Sequence, residues 1–323
     1  MRIWIDLLRC VALFTVAMAV NAQSPYPSRP IRIVVANPPG GQTDVATRLI
    51  AQHLSVKLGQ NVVVDNRPGA NSNLGASHVA QSTPDGYTLI VAAINNFGAN
   101  PALIKKMPFD PVKDFKMIVQ TIASTNVLVV NVNSPFNSLS DIIKAAKADP
   151  KALSYGSAGA GSSMFLFMEM LKSMAGIEIL HVPYQGSAPA DVDVMGGVIT
   201  MVFDSMPGAW PLVEGKKLKP IAVSSAKRSP AAPDVPTVAE SGVAGFEAES
   251  WLGFAAPAGT PDDIIQKLNG AVNEVLKMPQ VRDQLLAMGT RPVGGTSADF
   301  QSFVENQVST WKKVMAEAGV EPR

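Results

Sequence analysis

Apolar residues along this chain return in two rhythms: short Val/Ile-rich runs, and longer stretches in which they recur every three or four positions. Residues 31–36 read as a first strand, followed by the loop Pro38-Pro39-Gly40-Gly41-Gln42-Thr43-Asp44. A helix over 43–58 comes next, with Val45, Ala46, Leu49, Ile50 and Leu54 on one side. Thr43 is its expected N-cap, and Asp44 suits the first turn. A second strand over 62–64, a turn at Asn66-Arg67-Pro68-Gly69, a small-residue helix over 74–81 and a third strand over 87–93 complete this stretch. The third strand is expected to open onto a loop at Asn95-Asn96-Phe97.

After the stretch 115–123 the pattern begins again. It predicts a strand at 127–132, a helix at 139–148, a strand at 153–155, the loop GSAGAGSS at 156–163 and a helix at 164–174. A strand at 179–182, the loop Tyr184-Gln185-Gly186-Ser187, a helix at 188–195 and a strand at 200–204 follow. Residues 221–225 read as a returning segment and 251–256 as a strand. Helices over 261–277, 281–288 and 297–318 close the chain. Strands alternating with helices predict an α/β fold with mostly parallel sheets. Two similar units either side of 123–127, with a return near 221–226, predict two domains. The first joins 23–123 to 226–323, and 124–225 is inserted into it. The two connections form a hinge that lets the domains close on a ligand.

The two glycine-rich loops carry the chemistry. Each feeds a helix N-terminus, where unpaired N–H groups and the positive end of the helix dipole attract an anion. Neither holds a lysine or arginine. A nucleotide-phosphate cradle adds a cation, as in GxxxxGK[ST], so the loops point to carboxylates held by peptide dipoles. A charge-assisted hydrogen bond contributes about 1.5–3 kcal/mol and a micromolar complex needs about 8 kcal/mol net, so two or three such bonds per carboxylate suffice. Ser157→Ala and Ser162→Ala are each expected to weaken binding about tenfold. Phe97, Met164 and Phe165, if they line the cleft, would favour an aromatic acid.

Charge and cysteine usage narrow the classes. Arg2 and Arg9, an apolar run over 10–20 and the small-residue site Val20-Asn21-Ala22 read as an export signal cleaved after Ala22, so 1–22 is set apart from the fold. Cys10, the sole cysteine, leaves with it, and no disulfide, thiolate nucleophile or cysteine metal ligand is expected. Without Arg2, Arg9 and Asp6 the chain carries 25 basic and 25 acidic residues, which favours neither nucleic acid nor an anionic membrane. His53, His78 and His181 show no paired spacing, so no metal site is expected and each reads as a surface or packing histidine. Trp210, Trp251 and Trp311 read as packing residues, with Trp210 also placed for the cleft mouth.

Long strings now support a family resemblance: YPSRPIRIVVANPPGGQTDVATRLIAQHL at 26–54, VVVDNRPGANSNLGASHVAQSTPDGYTL at 62–89, VPYQGSAPADVDVMGGVITMVFDS at 182–205 and KPIAVSSAKRSPAAPDVPTVAESGVAGFEAESWLGFAAPAGTP at 219–261. The chain resembles the extracytoplasmic solute receptors of tripartite tricarboxylate transporters, the Bug-type proteins. That resemblance implies a two-domain periplasmic binding protein fold of type II with two hinge crossovers, no catalysis and no cofactor. It implies capture of a small organic acid (a dicarboxylate, citrate-like anion, amino acid or aromatic carboxylate) and delivery to membrane permease subunits by a monomer. Matched positions place Asn37, Pro39, Gly41 and Thr43 on one side of the ligand and Ser157, Ala158, Gly161, Ser162 and Ser163 on the other. Tyr184, Gly186 and Asp204 match cleft-lining positions, and Asn95 stands in the third-strand loop. The chain departs from its relatives at Ala36-Asn37-Pro38-Pro39, at Asn95-Asn96-Phe97 and in the apolar run 164–167.

Other readings remain at this level. A sensory binding protein reporting to a membrane kinase would use the same clamp. A serine enzyme would use Ser157 or Ser162, but Tyr155 stands where Gly-x-Ser-x-Gly needs its first glycine, and no motif supplies a histidine. Asp44 reads as a helix stabiliser. Asp204 reads equally as a contact for a solute amine or hydroxyl and as a brace for a neighbouring loop.

Overall fold

The computed structural model describes residues 25–322, and the export signal lies outside them. Two sheets carry the fold. In the first, β1 (Ile31–Val35), β2 (Val62–Asn66), β3 (Thr88–Ala93), β4 (Phe115–Ser124), β10 (Ser250–Pro257) and β11 (Arg291–Gly294) stand in the order β11-β4-β10-β3-β1-β2. In the second, β5 (Asn126–Asn131), β6 (Ser154–Ser157), β7 (Leu180–Pro183), β8 (Met201–Ser205) and β9 (Leu218–Val223) stand in the order β7-β6-β8-β5-β9. This is the two-lobed α/β architecture read from the sequence.

The sheets are mixed rather than mostly parallel. β1 pairs parallel with β2 and β3, and β6 with β7 and β8. β10 runs antiparallel to both its neighbours, and β5 to both of its own. The antiparallel strands flank the crossings. Thr125 alone separates β4 from β5, and the first strand after each crossing, β5 in the second sheet and β10 in the first, runs opposite to that sheet's βαβ core. The chain returns through 224–249, in which Ala232 and Val235 pack into the second sheet's core and Phe246 stacks on Phe203 at 6.3 Å. The two crossings are laced together: Asn126 N–H donates to Ser224 Oγ (2.9 Å), and Thr125 Oγ1 to Ser225 Oγ (2.9 Å).

Helices cover the sheets. In the first unit α1 (Gln42–Leu58), α2 (Asn73–Ala80) and α3 (Asn100–Leu103) are joined by α8 (Asp262–Lys277), α9 (Pro279–Ala287) and α10 (Ser297–Glu317). The second unit holds α4 (Leu139–Ala148), α5 (Ser163–Ala175), α6 (Ser187–Met195) and α7 (Met206–Glu214). One apolar core fills the outer face of the first sheet with α1, α8 and α9. A larger one runs unbroken from the first sheet to the second, with Phe97, Phe167 and Trp311 buried in it. Gly59 closes α1 in the left-handed region (φ 66°), where a side chain would be disfavoured.

Candidate functional site

Open α/β sheets bind ligands beyond the carboxyl ends of their parallel strands, and both glycine loops leave such ends. β1 leads into α1, whose N-cap is Gly41 rather than Thr43. The first intrahelical bond runs from Val45 N–H to Gly41 O (3.0 Å), so the N–H groups of Gln42, Thr43 and Asp44 have no helical acceptor. Thr43 sits inside the turn because Gly41 already has the extended conformation of a cap (φ −75°, ψ 167°). Asp44 is buried and accepts from Gly40 N–H (2.9 Å), Asn66 Nδ2 (2.9 Å) and Arg48 Nε (3.0 Å). Burial raises its pKa, but these donors together outweigh burial and hold the carboxyl below its ordinary range. Asp44 therefore braces the loop and brings no uncompensated charge to it.

Beside α1 stands a turn the sequence did not mark. Ala70, Asn71 and Ser72 are three consecutive left-handed residues (φ 48°, 53° and 69°), none of them glycine. Such a run costs about 1–2 kcal/mol per residue and needs support from its surroundings. Asn100 supplies it: Nδ2 donates to Asn71 O (2.9 Å) and to Asn73 Oδ1 (2.8 Å), while Oδ1 accepts from Asn71 Nδ2 (2.7 Å). Ser72 Oγ accepts from Asn95 Nδ2 (2.8 Å) and Asn37 Nδ2 (3.4 Å), which leaves its hydroxyl hydrogen free to be donated.

The second loop leaves β6 and enters α5, whose N-cap is Ser162: its Oγ accepts from Phe165 N–H (3.3 Å) and donates to Gly159 O (2.7 Å). Gly159 and Gly161 take φ values of 94° and 90°, open to glycine. A Cβ at Gly161 would lie 2.9 Å from Asn71 Nδ2, so this loop touches the 70–72 turn across the gap between the units. Between them lies a cavity of about 320 Å³, walled by Asn37, Thr43, Ser72 and Asn95 on one side and by Ala158 and Gly161–Ser163 on the other. Ile122, Ser124, Ser250, Trp251 and Leu252 form its floor. No charged side chain lines it among the described residues.

Residues 46–320 match the family described as "Tripartite tricarboxylate transporter family receptor". The chain belongs to this family. Protein BugT of Bordetella pertussis is 34% identical over 310 residues, covering 96% of this chain and 95% of BugT. Among solved structures, R. palustris Rpa4515 with adipate superposes with a TM-score of 0.82 at 38% identity, over 92% of this chain and all of that one. MatC (Rpa3494) from Rhodopseudomonas palustris with bound malate gives 0.78 at 31% identity, over 90% and 99% of the two chains. This receptor therefore shares a two-lobed solute-binding fold with proteins whose structures hold small carboxylates.

Of the residues read from the receptor's sequence, Asn37, Thr43, Asn95, Ala158, Gly161, Ser162 and Ser163 meet at the cavity. The others do not reach it. Pro39 and Gly41 belong to the loop outside the lining, and Gly41 contributes its carbonyl to the helix. Ser157 is fully buried, accepts Gly159 N–H (3.1 Å) and lies 2.7 Å from His181 Nε2. Tyr184 gives its hydroxyl to Asp193 (2.6 Å), and burial and that carboxylate push the phenol up to about 12. Gly186 caps α6. Asp204 is buried against Asp191, and a Cβ at Gly208 would overlap its Oδ2, so it faces the interior. Phe97, Met164 and Phe165 are core residues outside the lining, and Trp210 bonds to Glu214 away from the site.

Several lining residues escaped the sequence reading: Gln42, Asn71, Ser72, Ser124, Ser250 and Trp251. Only the turn residues left a trace, as the polar small-residue run after Arg67-Pro68-Gly69. Trp251 packs as expected, with its ring buried and Nε1 donating to Gln307 (3.1 Å), yet the residue also lines the floor.

Proposed function

We propose that this chain is a periplasmic receptor that captures a small aliphatic dicarboxylate between its two units and delivers it to the membrane permease of a tripartite tricarboxylate transporter. One observation carries this reading. Two helix N-termini, of α1 and α5, converge from opposite units on one cavity that contains no cationic side chain. Free N–H groups at each end suit an acid at each end of the ligand, and neighbouring amides and hydroxyls complete both shells. The cavity volume suits a chain of a few carbons, and Ile122 and Leu252 offer its methylene groups an apolar floor. The laced crossings at Thr125 and Ser224–Ser225 provide the pivot for closure.

Buried Ser157 beside His181 has the partners of a hydrolytic pair, yet Ser157 has no exposed surface to meet a substrate, and the solved relatives include periplasmic binding protein BugD and a TctC solute binding protein from Polaromonas. Calorimetry of the mature chain against adipate, malate and the monocarboxylate hexanoate tests the proposal. At least one diacid is expected to bind at micromolar strength, about 8 kcal/mol, with hexanoate at least about tenfold weaker. Equal affinity for the monoacid, or binding of neither diacid, would overturn it.

A further inference from the structure

The Ser157–His181 contact lies beneath the binding loop, and nothing in the cavity uses it. Ser157 ends β6 and forms the stem of the loop 158–163. Its carbonyl accepts Tyr184 N–H (2.8 Å), and its Oγ accepts Gly159 N–H (3.1 Å). Oγ has two acceptor sites and one hydrogen, and among the described residues the only acceptor within reach of that hydrogen is His181 Nε2 at 2.7 Å, so we assign the hydrogen to that contact. That bond requires a neutral ring carrying its proton on Nδ1.

We propose that His181 is a positioning residue for ligand capture: as a neutral acceptor it fixes the Ser157 hydroxyl, which holds Gly159 and so the loop that presents the first turn of α5. The ring is itself held. Tyr155 stacks on it (4.9 Å between centroids, 25° between planes), and Phe165 packs at 4.9 Å. The charged groups facing it lie on α5: Glu169, which accepts from Tyr155 (2.5 Å), and Lys172, which pairs with Glu169 (3.0 Å) and reaches Glu178. Burial is the foremost influence and keeps the ring from charging; Glu169 opposes it and Lys172 assists it. Lowering the pH charges the ring and turns Nε2 into a donor. The Ser157 hydrogen then loses its acceptor, and the hydroxyl must turn to accept from Nε2 as well as from Gly159 N–H, which weakens the loop's brace.

Only the affinity measurements rest on the dicarboxylate reading. Two variants separate acceptor from ring: His181→Phe keeps the stack without the acceptor, and His181→Gln places an amide oxygen there that does not titrate. With adipate near pH 7.5, His181→Phe is expected to weaken binding about five- to tenfold and His181→Gln less than about twofold. Ser157→Ala should cost as much as His181→Phe, and the double variant no more than either. The wild-type to His181→Gln ratio of Kd, in which adipate's own protonation cancels, is expected to be constant above about pH 6.5 and to rise below it. A flat ratio down to pH 5, or a His181→Phe variant that binds like wild type, overturns the proposal. Imidazole nitrogen NMR of the unliganded protein decides it without any ligand: an Nδ1–H tautomer supports it, and an Nε2–H tautomer overturns it whatever the receptor binds.

Discussion

Gly161 shows how much a single residue constrains the site. Its φ of 90° and its approach to Asn71 leave no room for a methyl group on either count. Gly161→Ala is therefore expected to weaken diacid binding at least about tenfold, through the strain of the φ and the displaced Asn71 amide, with a smaller effect on stability. Titration calorimetry beside a melting curve separates the two effects. Ser157 and Ser162, both assigned to the ligand by sequence, differ: Ser157 is fully buried and braces the loop's stem, whereas Ser162 lines the cavity while its Oγ caps α5. Motif spacing marks a loop as important but does not tell a hydroxyl aimed at the solute from one committed to the backbone. Asn71, Ser72, Ser250 and Trp251 were illegible for another reason: distant segments bring them together, and no local periodicity records that.

At the level of elements, most strands and helices followed from the spacing of apolar positions, with boundaries shifted by a residue or two. Three departures have physical causes. Residues 94–99 form a π-helical turn rather than a loop, pinned where Asn96 Oδ1 accepts Ala93 N–H (2.9 Å). Pro207 and Pro211 hid α7, although Pro207 lies in its first turn, where no helical N–H is missed. β11 is a four-residue edge strand containing Pro292, too short and too broken to signal itself.

Between α6 and β8, Asp191 and Asp204 are both buried, and the pair has oxygens without hydrogen-bond partners. Burial raises both carboxyls; the charge of Asp204 raises Asp191 further, to about 8, while Ser205 and Asp191 donate to Asp204. Native pKa values above the unfolded one of about 4 mean that folding takes up protons, so the pair's stability is intact below pH 4 and is lost as pH rises through neutrality. Asp191→Asn, which donates without titrating, is expected to flatten Tm against pH between about 5 and 8 and to raise Tm at the upper end. A series of melts across that range, unchanged in slope, would count against a shared proton.

Across the whole molecule, α10 ties the units together more closely than two connections alone would. Trp311 stacks on Phe167 of α5 at 6.2 Å, and Gln307 Oε1 accepts from both Trp311 Nε1 and Trp251 Nε1 at 3.1 Å. One amide thus joins the second unit's core to the floor of the cavity. Gln307→Leu leaves two indole N–H groups without an acceptor and is expected to cost about 2 kcal/mol, read from denaturant unfolding, and to weaken binding with it. A cost below about 0.5 kcal/mol would show that the indoles find other partners.

The uncharged cavity wall has an evolutionary corollary. On the proposed reading peptide N–H groups hold the acid, and they are written into the chain at every position but proline, so no ordinary point mutation erases the part of the site that would attract an anion. Amides and hydroxyls around it are free to drift. A lineage built this way trades one acid for another by small side-chain exchanges, without passing through an ancestor that binds no acid at all.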